Sequence, residues 1–119
     1  MEPSLFGLYP VKYAEIDTAA ASGATTVVSG VAGSVIVVLD FWAVAGGATT
    51  VKFQTASTDI TGPAPLAANG GVSANSNHGL METADGEDLN INSSAAVALG
   101  GSLSYFFKRA AVGDGVNLV

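Results

Sequence analysis

The chain contains no cysteine. Disulfides, thiolate zinc sites and iron–sulfur clusters are thereby excluded, and stability must rest on packing. That composition fits synthesis in a reducing compartment. Charge is also scarce, at 12% of residues against 49% hydrophobic, about half the ~25% charged share of ordinary soluble domains. Basic residues are scarcest: Lys12, Lys52, Lys108 and Arg109 stand against ten acidic ones, for a net charge of −6. Four scattered cations make no patch for a phosphate backbone, so nucleic acid is not an expected partner. The acidic balance serves solubility and also suits a basic partner. No hydrophobic run is long enough for a membrane helix. The longest, SVIVVLDFWAVA (34 to 45), is broken by Asp40 and falls short of the ~20 residues a spanning helix needs. The start, MEPSLFGLYPVKYAEID, lacks the basic and then apolar order of a secretory signal, so neither membrane insertion nor export by that route is expected.

What remains is a chain of 119 residues, the size of one domain with one core. A mean hydropathy of +0.45 with no membrane span leaves apolar surface to be covered by other copies or another protein. An oligomer or assembly component is the expectation.

Hydrophobic periodicity predicts strands and no helix. ATTVVSGV (24 to 31) is β-branched and ends in glycine turns. From 35 to 45 both alternating sets are apolar. Val35, Val37, Leu39, Phe41 and Ala43 form one set; Ile36, Val38, Trp42 and Val44 form the other, with Asp40 as the exception. A strand covered on both sides is implied, and its second face is the candidate subunit interface. Gly46-Gly47 predicts a hairpin into TTVKFQT (49 to 55), with Val51 and Phe53 in and Lys52 and Gln54 out. Leu89 and Ile91 alternate with Asn90 and Asn92, and Leu103, Tyr105 and Phe107 lie opposite Ser102, Ser104 and Lys108. VSANSN (72 to 77) and AAVAL (95 to 99) supply two shorter strands. The fold class expected is all-β: a single-domain antiparallel β-sandwich or jelly-roll-like barrel. Its division runs 1–23 as an extended N-terminal arm, 24–109 as the sandwich and 110–119 as a C-terminal tail, with an ordinary edge strand as the alternative for the first segment.

Candidate chemistry is thin. His78, with Ser76 nearby and Asp85 seven residues on, has the residue types of a hydrolytic triad, but no nucleophile elbow surrounds Ser76. ETADGEDLN (82 to 90) gathers Glu82, Asp85, Glu87 and Asp88 without the spacing of a calcium loop, and its D-G pair is what a turn requires. Trp42, Phe41, Phe53, Tyr105, Phe106 and Phe107 would make a sugar-stacking platform only if exposed; most hold core-facing positions. No catalytic, cofactor-binding or metal residue is assigned, and no enzyme is expected.

The longest distinctive run is TDITGPAPLAANGGV (58 to 72). Pro63 and Pro65 stiffen an extended crossing, Leu66 near its middle is suited to capping the sandwich or to touching a neighbouring copy, and Asn69-Gly70-Gly71 supplies a turn of positive φ. Together with V-K-F-Q before it and E-T-x-x-G-E-x-L-N-I-N after it, this run resembles small β-structured proteins of tailed bacteriophages and prophages. Thr58-Asp59-Ile60-Thr61-Gly62-Pro63, Pro65-Leu66-Ala67-Ala68-Asn69-Gly70-Gly71 and Glu87-Asp88-Leu89-Asn90-Ile91-Asn92 carry the likeness. The resemblance implies a virion structural protein made in the host bacterial cytoplasm. It further implies a capsid decoration or cement protein on the outer head surface, with the major capsid protein and copies of itself as partners, trimers favoured. A head-fibre or tail-fibre module binding a host surface or glycan is the alternative that the same likeness implies.

Overall fold

In a computed structural model the structure describes residues 10 to 110. These residues form strands and turns only, in two antiparallel sheets packed face to face as a β-sandwich. The strands are β1 (Lys12–Thr18), β2 (Gly23–Val28), β3 (Ser34–Ala45), β4 (Thr49–Thr55), β5 (Thr58–Asp59), β6 (Ala64–Leu66), β7 (Gly71–Asn75), β8 (Met81–Glu82), β9 (Leu89–Ser93) and β10 (Leu99–Arg109). Sheet A runs β1-β10-β3-β7, with β8 also on β3; sheet B runs β2-β9-β4-β5, with β6 also on β4.

Alternation at the β-branched and aromatic positions builds the core between the sheets. Ile16, Val38, Ala43, Leu99 and Leu103 from sheet A meet Val28, Val51, Phe53, Leu89 and Ile91 from sheet B. Phe41 reaches across to Phe53 edge to face, at 4.9 Å between ring centroids. Leu66 packs against this core from the proline-stiffened crossing, and Asn69, at φ 63°, makes the expected left-handed turn.

Three expectations are corrected. β1 lies inside the segment read as an arm or, alternatively, an ordinary edge strand; it is the edge strand, paired in sheet A with β10 from Lys12↔Tyr105 to Thr18↔Leu99. Its alternation explains why: Ala14, Ile16 and Thr18 turn in, with Ile16 only 1% exposed, so this stretch belongs to the core. Residues 1 to 9 of the expected arm, and 111 to 119 of the expected tail, lie outside the described residues.

Gly46-Gly47 does not close a hairpin. β3 and β4 lie in opposite sheets, because both ladders of β3 are already taken by β10 and β7. The turn is instead pinned from the side, with Gly46 N donating to Ala98 O at 2.8 Å. Residues 95 to 98, expected as strand, are the loop that carries the chain from β9 in sheet B to β10 in sheet A. Gln54 turns outward with Lys52 as expected, and is covered there, its Nε2 donating to Asp59 Oδ1 at 2.8 Å.

A one-residue irregularity decides the faces of β3. Val38 pairs Tyr105 and Asp40 pairs Ser104, so Leu39 has no partner on β10. Such a bulge reverses the alternation beyond it. Ile36 and Val38 therefore share the core with Phe41, Ala43 and Ala45, while Val35, Val37 and Leu39 share the outer side with Asp40, Trp42 and Val44. Without the extra residue Asp40 would follow Val38 into the core, where an unpaired carboxylate is costly; with it, Asp40 is exposed.

Candidate interaction face

The outer faces of the two sheets differ in chemistry. On sheet B, Asn92 Nδ2 donates to Gln54 Oε1 at 3.3 Å, Gln54 donates to Asp59, and Lys52 Nζ meets Asp59 Oδ2 at 3.1 Å. The Gln54 hydrogen bond first, then that from Lys52, holds the Asp59 carboxyl below its usual value. These four side chains bond to one another, while Asn90 Oδ1 beside them is buried with no hydrogen-bond partner among the described residues.

On sheet A the outer side of β3 carries apolar groups along its length. At one end Val35, Val37, Leu39 and Phe106 form a second buried cluster, with Val11 and Ala110 packed against it. At the other end Trp42 and Val44 stand exposed, at 51% and 39%. The register surrounds them with small residues: Ser102 and Ser73 flank Trp42, and Gly100 and Gly71 flank Val44. The two large side chains consequently stand above their neighbours, with a hollow of about 240 Å³ on the β7 side and one of about 420 Å³ on the β10 side. A raised apolar ridge between two hollows is suited to burial against another surface.

The structure separates the residues that sequence spacing placed together. Ser76 and His78 share a loop, but the bond between them runs from His78 N to Ser76 Oγ at 3.1 Å. Asp85 is turned elsewhere, its Oδ1 accepting from Gly33 N at 2.8 Å. The other carboxylates of 82 to 90 also hold the fold. Asp88 Oδ1 accepts from Gly30 N at 2.7 Å, Glu87 Oε1 accepts from Thr55 Oγ1 at 2.6 Å, and Glu82 Oε1 meets Lys108 Nζ at 3.3 Å. Among the described residues no three His, Cys, Asp or Glu side chains gather closely enough to hold a metal ion. Of the aromatics, Phe53 and Phe106 are buried, and Phe41, Tyr105 and Phe107 pack against the core. Only Trp42 of that set is exposed. Tyr13, at 78%, is the aromatic that spacing analysis missed. The alternation of Tyr13, Glu15 and Asp17 against Ala14, Ile16 and Thr18 was the signal for it, obscured by taking the segment as an arm.

Fold and face together define a small all-β sandwich with one polar outer surface and one carrying an exposed apolar ridge. Neither known protein families nor curated proteins yield a match to the chain.

Proposed function

We propose that this chain is a virion structural protein of a tailed bacteriophage, a decoration protein that binds the outside of the head as a homo-oligomer and stabilises the shell. The observation that carries the reading is the ridge of Trp42 and Val44 on the outer side of sheet A, exposed in a chain with little charge to cover it. The likeness of residues 58 to 72 and 87 to 92 to small phage β-proteins supports it.

The action is mechanical. Each copy sets its ridge against a neighbouring copy or the capsid protein, removing apolar surface from water at roughly 25 cal/mol per Å². Contacts that exist only in the assembled shell stabilise that state by mass action. Many copies, each held weakly, add up across the lattice.

Co-sedimentation of the purified chain with expanded, empty heads tests this. Saturable, stoichiometric binding that Trp42→Ser weakens at least tenfold is expected. A chain that stays in the supernatant at every concentration overturns the reading.

A further inference from the structure

One row of side chains crosses the whole outer face of sheet A. Tyr13 on β1 pairs Ser104 on β10, Ser104 pairs Asp40 on β3, and Asp40 pairs Asn75 on β7. Four strands at about 4.8 Å spacing make the row ~14 Å wide. It carries an aromatic ring, a hydroxyl, a carboxylate and an amide in that order. Asn77 joins from the loop beyond β7, and Leu39, outward with Val35 and Val37, supplies an apolar wall. The open cleft holds about 360 Å³, within the ~300–1,000 Å³ range of small-molecule sites.

The hydrogen-bonding groups here are unused. Ser104 is only 5% exposed and borders the cleft; its hydroxyl makes no hydrogen bond among the described residues and keeps some exposure on that side. The side chains of Asp40, Asn75 and Asn77 are likewise without one among those residues. On sheet B, Gln54, Asn92 and Asp59 bond to one another; on this row the polar side chains border a cleft.

We propose that this cleft binds a neutral saccharide. A sugar ring has an apolar C–H face and an edge of hydroxyls that donate and accept. The exposed Tyr13 ring offers a stacking surface. Asp40 accepts from hydroxyls, the Asn75 and Asn77 amides donate and accept, and Ser104 does either. Among the described residues the row holds no cationic side chain for an anion to pair with, and its amides and hydroxyl match the donor-and-acceptor edge of a sugar. The inference does not rest on the decoration reading, which is carried by Trp42 and Val44 and tested by sedimentation.

The test is amide chemical-shift mapping of the ¹⁵N-labelled full chain, titrated with methyl glucoside, galactoside and mannoside, N-acetylglucosamine, and their di- and trisaccharides. At least one of these sugars is expected to shift Tyr13, Asp40, Asn75, Asn77 and Ser104 with a Kd of about 1 mM or tighter. Tyr13→Ala, at a side chain too exposed to unfold the sandwich, should weaken that binding about tenfold. Ser104→Ala, nearly conserving volume, should weaken it severalfold with the remaining spectrum intact. The proposal is overturned if no sugar in the panel shifts these residues, if Tyr13→Ala binds as well as the parent chain, or if the same residues shift with protein concentration alone. That last result would assign the cleft to a second copy.

Discussion

Asp40 lies directly opposite Ser104 across the β3–β10 ladder, and the register slips by one residue immediately beyond them, at Leu39. Two consequences meet at this pair. The slip turns a carboxylate to water that strict alternation would bury, and it sets that carboxylate beside an unpartnered hydroxyl. It also divides β3 into a half whose outer groups are buried and a half whose outer groups are bare.

Val38 and Trp42 share a face under strict alternation and lie on opposite faces in the fold. Val38→Ser should cost about 2–4 kcal/mol, from a cavity and a buried hydroxyl. Trp42→Ser should change stability by no more than about 1 kcal/mol. Urea denaturation of the two variants checks this, and equal losses would contradict the bulge.

Adjacent glycines on β10 should respond in opposite ways. A Cβ on Gly101 would run into the Trp42 carbonyl oxygen and lie 2.9 Å from Ala43 Cα, whereas one on Gly100 meets nothing within 4 Å. Gly101→Ala should lose about 1–3 kcal/mol or more by forcing β3 and β10 apart. Gly100→Ala should be neutral or slightly stabilising, because alanine restricts the unfolded chain. Thermal melts of both variants decide it.

Leu66 tucks into the core from β6. Leu66→Asp should lower stability by about 1–3 kcal/mol, read as a reduced denaturation midpoint at protein concentrations low enough to keep the chain dispersed. A variant as stable as the parent would mean that Leu66 serves a neighbouring copy.

Asp59 should titrate below its ordinary value of 3.8. A carboxylate whose native value is lowered adds stability that is fully present above the unfolded value. That contribution fades as pH falls through the lowered native value. Gln54→Leu removes the larger cause and should move the Asp59 titration upward in an NMR pH series, with Lys52→Met having the smaller effect. No upward movement in Gln54→Leu would contradict the hydrogen bond.

The strands themselves were legible in the sequence because period-2 alternation is a local property. Val51 and Phe53, Leu89 and Ile91, and Leu103 with Tyr105 and Phe107 all turn inward as their spacing requires. The proline crossing and the turn at Asn69 were legible for the same reason, each being set by the φ preferences of the residue in place. Neighbourhood was not legible. Gly46-Gly47 reads as a hairpin, but its strands part into different sheets because the ladders of β3 are filled by β10 and β7, strands distant in the chain. Lys12–Thr18 reads as an arm or an edge strand until β10 is there to pair with it.

The sequence by itself determined that this chain would form an all-β sandwich on one hydrophobic core: its β-branched alternation, glycine turns and missing cysteines leave packing between sheets as the source of stability. Only the tertiary structure decided which way each residue of β3 faces, and so where Trp42 and Asp40 come to lie. The side chains of a strand alternate in lockstep. One unpaired residue, defined by its partner strand rather than its own sequence, exchanges inside and outside for everything beyond it.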